Sequence, residues 1–437
     1  MGDLAVARAV IEPFDEALDR AVVAQFERDG VVELAERVAA AATATGVSFG
    51  GDRPFHVDPV PRVFGADEWS LLEAGVIQRT LALEAFVADV YSERRIVHAG
   101  VVPARVIDTC DHFEPLVAEL PAPPVRIGVA GLDVVRDENG VLRVLEDNLR
   151  TPSGLAYMHA ARDSVGPAFP DFDPRPLHDA LPRVEGESVV MLSDGPSNTA
   201  WFEHRWIAGK LDIPLVTVDD LEVSRGRLHA SGLPVDVVYR RTDEDRLTDE
   251  HGRLTMVGAA LFEPLRAGTL TCVNGFGTGV ADDKLVHAYV EQMIRFYLGE
   301  DPLLASVHTY DLDDPDLLAE VLERLDELVI KPRTGHGGHG VVVGPHAKVA
   351  DLRDLAHAVR RDPHDYVAQD TVMLSRHPTV IDGRLEPRHV DLRPFVFITA
   401  AGATVAPGGL TRVALDRGAL VVNSSQRGGG KDTWVSW

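Results

Sequence analysis

A glycine-dense stretch between two apolar runs restricts what this chain can fold into. Four glycines fall within six residues there: Gly335, Gly337, Gly338 and Gly340. In ordinary positions they would cost roughly 2–4 kcal/mol of chain entropy, against the roughly 5–15 kcal/mol that stabilises a folded domain. Either several of them adopt a positive φ, which glycine alone accepts cheaply, or a ligand comes so close to the backbone that no Cβ fits.

Lys331 lies at the end of the first apolar run, just before these glycines. The two-residue period of a strand places Lys331 on the face opposite Leu328 and Ile330, so its ammonium leaves the strand beside the loop. A loop that covers a polyphosphate explains both features, whereas a plain hairpin explains the glycines alone. His336 and His339 are poor candidates for metal ligands, because a flexible glycine loop is not a rigid site.

Charge and cysteine content exclude several classes of function. The 437 residues carry a net charge of −25, which argues against a nucleic-acid or anionic-membrane surface and requires any anion site to be a local basic pocket. Cys110 and Cys272 are the two cysteines, too few for a disulfide framework or a cysteine-based zinc site. No signal peptide and no window of membrane-spanning length is evident, so we expect a cytoplasmic protein.

A second motif predicts a metal site. Asn139-Gly140 between two apolar runs indicates a β-hairpin. Counting outward from a two-residue turn places Asp133 opposite Glu146, with Asn148 on the same face as Glu146. Facing carboxylates repel unless a cation lies between them, and three oxygen ligands suit Mg²⁺. The alternative is a solvated strand face that a neighbouring arginine neutralises.

Two residues that follow the hairpin, Arg150 and Ser153, border the predicted metal face. Further along, residues 188–193, 201–211 and 214–218 read as strand, helix and strand, which is a βαβ unit. Ligands of such units bind beyond the carboxyl ends of the strands, so Asn198 belongs to a candidate substrate loop. Upstream, helices are predicted over about residues 15–45 and 69–90, with a proline-containing loop between them.

Three further segments carry candidate binding groups. Arg240 and Arg241 end an apolar strand and form either an anion clamp or pairs with the acidic residues that follow. Lys284 falls in the first turn of a helix predicted over about residues 281–298, where a nearby phosphate would explain a cation. Residues 366–372 read as a short strand whose backbone could bond an adenine edge. Residues 274–279 resemble a dinucleotide fingerprint only loosely, because the third glycine is wrongly spaced.

Together these motifs resemble the circularly permuted branch of the ATP-grasp superfamily that is related to glutathionylspermidine synthetase. The resemblance covers most of the chain and is carried by Glu146-Asp-Asn148-Leu-Arg150-Thr-Pro-Ser-Gly154, Gly279-Val-Ala-Asp-Asp-Lys284, Lys331 to Gly340, His389-Val-Asp391-Leu-Arg393 and Val422 to Trp434. In an unpermuted ATP-grasp enzyme the two ATP lysines precede the metal residues, whereas here the metal hairpin comes first. That order indicates the permuted branch.

The resemblance implies a role for each of these groups. It places ATP phosphates at Lys284, Lys331 and the loop glycines, the adenine hinge at Gln369, Asp370 and Val372, magnesium at Asp133, Glu146 and Asn148, and a phosphate or intermediate at Arg412. Two departures stand out. The synthetase has a catalytic arginine where this chain has Gly131, so Arg126 or Arg150 would have to substitute, and Arg427 interrupts the terminal glycine run.

We therefore expect an α/β (α+β) protein with a circularly permuted ATP-grasp fold. The expected parts are a helical N-terminal region (1–115), the metal hairpin (116–185), a pre-ATP-grasp βαβ domain (186–280) and the nucleotide-binding region (281–437). The implied activity is ATP-dependent ligation of a small-molecule or peptide carboxylate to an amine through an acyl phosphate. Arg412 and Arg150 are the candidate catalytic groups, and Ser153, Asn198, Arg240 and Arg241 the candidate substrate groups. The alternatives are a small-molecule kinase and a non-catalytic nucleotide-binding protein; homo-oligomerisation is left open.

Overall fold

The computed structural model describes residues 16–51, 53–177, 180–335, 340–418 and 428–437. Its α-helices are α1 Glu16–Asp29, α2 Val31–Thr45, α3 Ala66–Val90, α4 Arg95–His98, α5 Ala104–Asp108, α6 Leu155–Val165, α7 Trp201–Leu211, α8 Met256–Arg266, α9 Val290–Leu298, α10 Pro315–Glu323 and α11 Val349–Arg361. No helix in these ranges is both long and apolar enough to cross a membrane.

Several strands follow one another between these helices. They are β1 Val57–Phe64, β2 Val129–Gly131, β3 Asp133–Arg136, β4 Leu142–Glu146, β5 Val189–Ser193, β6 Leu215–Val216, β7 Leu221–Ser224, β8 Arg227–Ala230, β9 Leu233–Val235, β10 Val237–Arg241, β11 Thr271–Val273, β12 Ala305–Ser306, β13 Thr309–Asp311, β14 Leu328–Pro332, β15 Val342–Val343, β16 Tyr366–Asp370, β17 Arg376–Ile381, β18 Arg384–Thr399, β19 Gly402–Val413 and β20 Gly429–Val435.

The central sheet has the strand order β1-β20-β19-β18-β3-β4-β12, with β2 and β17 also paired to β18. The strand period of two gives β18 one face for each of two cores. Phe395 packs on one side, in the core that α2 and α6 cover. Val396 packs on the other side, in the core that α3 and α9 cover. The sheet is therefore buried on both faces, as the predicted α/β class requires.

Three smaller sheets flank the central one. A parallel sheet of order β11-β10-β5-β6 confirms the predicted βαβ unit, because β5 and β6 are parallel and joined by α7. An antiparallel sheet of order β13-β16-β14-β15 carries Lys331 on β14. A three-stranded sheet, β7-β8-β9, completes the set among the described residues.

Two local predictions were wrong. The proline-containing segment predicted as a loop is the buried strand β1, which lies at the edge of the central sheet, where prolines are tolerated. The helix predicted from residue 281 begins as α9 at Val290. Two short 3₁₀ segments, Thr278–Ala281 and Val286–Tyr289, precede it, so Lys284 lies in the turn between them.

Candidate functional site

One cavity collects side chains from four separated parts of the chain. It encloses about 270 Å³, including space open to solvent, and is lined by Leu145, Glu146, Asp147, Ala281, Asp282, Asp283, Lys284, His287, Lys331, Val367 and Gln369. Strands β4, β14 and β16 and the turn before α9 provide these residues. The two lysines singled out in the sequence therefore meet in one place, together with Glu146.

Lys331 is a cation of this cavity for which the described residues provide no hydrogen-bond acceptor. Its side chain is half-buried on β14, and no residue in the described ranges accepts a hydrogen bond from its Nζ. Burial lowers the pKa of Lys331, the nearby Glu146 carboxylate raises it in part, and Lys284 lowers it again. An anionic ligand would relieve this electrostatic cost, because it would add to the counter-charge of the Glu146 carboxylate.

Lys284 is engaged with the base of the glycine-rich loop. Its Nζ donates to the backbone oxygen of Gly335 at 2.8 Å and to that of Arg333 at 3.3 Å. Gly335 has a φ of +106° and Gly340 a φ of +74°, so both described glycines of the loop adopt a conformation that favours glycine. Gly337 and Gly338 lie outside the described residues.

Every aspartate on the cavity wall is paired with an arginine. The N–O distances are 2.6 Å for Asp147 with Arg79, 2.9 Å for Asp282 with Arg150 and 2.9 Å for Asp283 with Arg333. Burial raises the pKa of Asp282 to about 6 although Arg150 opposes this, so the carboxylate is still mainly ionised at pH 7. Three charged groups of the wall therefore have no salt-bridge partner in the described chain: Lys284, Lys331 and Glu146.

Arg150 is held on both sides by carboxylates. Its Nε donates to Asp282 and its Nη1 to Asp245, both at 2.9 Å. Its side chain also packs against Gly279, where an added Cβ would lie 2.8 Å from the arginine Cδ. In this arrangement Arg150 fixes the position of Asp282, and its guanidinium does not carry an unbalanced charge toward the cavity.

Of the three residues predicted to hold metal, Asp133 and Glu146 lie on the adjoining strands β3 and β4, and Asn148 follows β4. Asp133 pairs with Glu146 across the β3–β4 ladder, as the hairpin count predicted. The described residues provide no donor to the Glu146 carboxylate, and the Nδ2 atom of Asn148 is buried without a partner among them. Rotating the Asn148 amide would present its oxygen in the same position. Glu146 and Asn148 thus offer the hard oxygen ligands that Mg²⁺ takes, and the residues fit such an ion.

Asp133 is already neutralised by two arginines. Arg393 reaches one carboxylate oxygen at 2.7 Å, and Arg412 reaches the other at 2.8 Å. Burial alone would raise the pKa of Asp133, but the two guanidinium groups outweigh it and hold the pKa below its usual value. Arg412 also pairs with Asp391, its ladder partner on β18. A metal ion at Asp133 would therefore compete with, or be shared with, this arginine pair.

Arg393 is a site residue that the sequence reasoning did not select. Its Nη1 donates to the backbone oxygen of Ser153 at 2.9 Å, and its side chain packs against Gly131. The signal was present in the spacing: Asp391 and Arg393 are two residues apart on one strand, so both face Asp133. Arg126, the other proposed substitute for the absent family arginine, does not line the cavity.

Of the candidate substrate residues, Ser153 and Arg241 meet at a buried carboxylate. Glu203 accepts hydrogen bonds from Ser153 Oγ at 2.8 Å, from Arg241 Nη2 at 2.6 Å and from the backbone of Gly154 at 2.8 Å. Arg241 Nη1 also donates to the backbone oxygen of Pro152 at 2.7 Å. This network positions the turn that follows the metal hairpin.

Arg240 and Asn198 are likewise occupied by protein groups. Arg240 is buried, donates to three backbone oxygens and lies 3.8 Å from the ring centre of Phe276. The Nδ2 atom of Asn198 donates to Asp194 and to Asp243, both at 2.9 Å. Among the described residues neither arginine pairs with the acidic side chains that follow, and the anion clamp at residues 240–241 stays a prediction.

The predicted adenine hinge lies on β16 and just after it. Gln369 lines the cavity, and its Nε2 donates to Thr309 Oγ1 at 2.9 Å and to a backbone oxygen on β4 at 3.2 Å. These bonds fix the amide orientation and leave Gln369 Oε1 without a partner among the described residues. Asp370 and Val372 continue the same segment but do not line this cavity: Asp370 accepts from Tyr310, and Val372 packs in a small apolar cluster.

Comparisons with known proteins agree with this architecture. The sequence profile of the circularly permuted ATP-grasp type 2 family matches residues 61–414. An uncharacterised protein of Mycobacterium tuberculosis is 40% identical over 97% of this chain and 84% of its own length. An uncharacterised protein of Synechocystis is 42% identical over 88% and 85%.

Two further comparisons support less: one relative is matched over only part of its length, and one solved structure shares the fold alone. A protein of Frankia alni named as a putative glutamate–cysteine ligase is 42% identical over 97% of this chain, but this chain spans only 54% of its length. A glutathione synthetase-like effector of Globodera pallida, solved in its apo form, shares the fold with a TM-score of 0.58 and 14% identity, over 92% of this chain and 96% of that one. The extent of the profile match and the conserved architecture lead to one conclusion: this chain belongs to the circularly permuted ATP-grasp type 2 family.

Proposed function

We propose that this protein is an ATP-dependent carboxylate–amine ligase that uses Mg²⁺ and works through an acyl phosphate. The observation that carries the proposal is the cavity in which Lys331 and Lys284 converge while every wall aspartate is neutralised by an arginine. Such a cavity favours a polyanion. ATP-grasp enzymes generally use ATP and Mg²⁺. The whole protein has a net charge of −25, so the two lysines make this cavity a local exception to its acidic character.

Three cavity residues would each have a separate role in binding the nucleotide. Lys331 would contact a phosphate oxygen directly, because its ammonium donates no hydrogen bond within the described residues. Lys284 would hold the start of the glycine-rich loop through the Gly335 carbonyl, so that the loop covers the phosphates. The unsatisfied Gln369 Oε1 would accept a hydrogen bond from the nucleotide.

Glu146 and Asn148 would hold magnesium, with Asp133 as a third ligand that is shared with its arginines. The ion, when bound, would neutralise charge on the phosphate oxygens during transfer. Asp133 joins Glu146 on one side to Arg393 and Arg412 on the other. The chain thus provides a continuous row of charged groups that leads from the nucleotide cavity along the central sheet.

Ligation would then proceed in two steps. A substrate carboxylate oxygen attacks the terminal phosphorus of ATP, and ADP leaves. The amine attacks the acyl carbon, the phosphate leaves with the proton that the amine gives up, and an amide is formed. Arg412 and Arg393, which both contact Asp133, would stabilise the anionic intermediate, since positioned cations are effective at developing negative charge. Closure over the site would protect the acyl phosphate from water.

The experiment that tests this proposal is trapping with hydroxylamine. The protein is incubated with Mg·ATP and a panel of amino-acid carboxylates and amines; glutamate and cysteine come first because of the name of the Frankia relative. ADP and phosphate release together with a hydroxamate supports ligation through an acyl phosphate. A stable phosphorylated product would indicate a kinase instead, and AMP release would indicate adenylation.

A further inference from the structure

His287 lies in the wall of the nucleotide cavity with one ring nitrogen unaccounted for. The side chain is 4% exposed, and its Nε2 atom is buried with no hydrogen-bond partner in the described part of the chain. Leaving a buried polar atom unpaired destabilises the folded protein. A ligand in the cavity that His287 lines is the group that could satisfy it.

The opposite nitrogen fixes the orientation of the ring. His287 Nδ1 lies 2.8 Å from Asp147 Oδ2 and 3.1 Å from Arg79 Nη2. Two acceptors would repel at 2.8 Å, so Nδ1 carries a proton and donates it to Asp147. Asp147 is itself held by two hydrogen bonds from Arg79, at 2.6 and 2.7 Å. Asp147 thus fixes the orientation of the imidazole, and Arg79 holds Asp147 in place independently of His287.

The charges around the ring determine what Nε2 can bind. The groups that face the ring or line the same cavity are Asp147 after β4, Arg79 on α3, Lys331 on β14, Glu146 on β4, and Lys284, Asp282 and Asp283 in the turn before α9. Burial is the largest influence and lowers the pKa of His287; Asp147 raises it in part, and Arg79 and Lys331 lower it again. At pH 7 without ligand, the ring is neutral and Nε2 is an acceptor.

A phosphate oxygen is also an acceptor, so contact with it requires a proton at Nε2. The polyanion that the two lysines favour would offset Lys331 and stabilise an imidazolium already backed by Asp147. We propose that His287 is a further cationic contact for the nucleotide phosphates: its Nε2 takes up a proton from solvent as the nucleotide binds and donates a hydrogen bond to a phosphate oxygen. This inference rests on the proposed nucleotide site. It adds His287 to the residues that bind the phosphates and couples nucleotide binding to the uptake of a proton.

The test is titration calorimetry of the whole protein with Mg·ADP in two buffers that differ in their ionisation enthalpy. At pH 7 the parent should take up a fraction of one proton per nucleotide bound. Its affinity should fall as the pH rises from 6 to 8, by at most about tenfold per pH unit. His287→Gln places an amide donor near Nε2 that cannot titrate, so the variant should show less proton uptake and a weaker pH dependence than the parent.

The matched control is His159→Gln. His159 is also buried, but its Nε2 lies 3.1 Å from the backbone oxygen of Ala180, and the residue does not line the cavity. This variant should behave as the parent does. Zero proton uptake by the parent, or equal uptake by His287→Gln, overturns the inference while the proposed function stands. If the parent does not bind Mg·ADP, both fail.

Discussion

Replacing Lys331 with methionine tests the cation on which the proposed nucleotide site depends. Methionine keeps most of the apolar stem on β14 and removes only the ammonium. A charge-assisted hydrogen bond contributes about 1.5–3 kcal/mol, so Mg·ATP should bind about 10- to 150-fold more weakly. The folded state should not lose stability, because Lys331 makes no internal hydrogen bond among the described residues and burial already lowers its pKa.

Titration calorimetry with Mg·ATP measures the loss of affinity, and thermal unfolding checks the fold. Lys348→Ala is the matched control, because Lys348 is an exposed lysine at the start of α11, on the same part of the chain but outside the cavity. If Lys331→Met binds Mg·ATP as tightly as the parent in a folded protein, the argument from unpaired charge is refuted. A loss that Lys348→Ala shares would instead reflect a general effect of net charge.

Three other substitutions test separate parts of the structure. Glu146→Gln should raise the Mg²⁺ concentration needed for nucleotide turnover, and an unchanged requirement would make the hairpin carboxylates a structural cluster. Arg79→Met should destabilise the fold by about 3–5 kcal/mol in chemical denaturation, because it leaves Asp147 charged and buried; the exposed Arg295→Met should change little. Burial raises the pKa of Glu114 to about 7, so the parent should lose stability as pH rises from about 4.5 through 7. Glu114→Gln should show a smaller loss over that range, and an identical pH profile would contradict the shift.

In the β3–β4 hairpin, counting residues outward from the turn predicted the correct pair, Asp133 and Glu146, although the assumed turn was not the observed one. The prediction assumed a two-residue turn, but the ladder pairs Val135 with Arg143, one position out of that register. A register shift between Asp133 and Val134 restores the expected pairing with Glu146. The alternation of apolar and polar residues predicted the strands, whereas the bulge depends on packing against β18, which a local pattern does not contain.

The partners of charged residues were the least predictable part of the site. Helix α7 and the βαβ unit follow from periodicity within the segment. In contrast, Arg241 is paired with Glu203 on α7, and Arg150 with Asp282 before α9. A sequence pattern marks such residues as candidates for a ligand, but whether a distant carboxylate already neutralises them is decided by the tertiary structure.

The link between Asp133 and its arginines also bears on the synthesis of the chain. Arg393 follows Asp133 by 260 residues. While the ribosome is still making the intervening chain, the hairpin would bring two carboxylates face to face with neither Arg393 nor Arg412 yet available, and like charges in that position destabilise strand pairing. We therefore expect β3 and β4 to remain loosely paired on the ribosome until β18 and β19 emerge, so this half of the central sheet would assemble late.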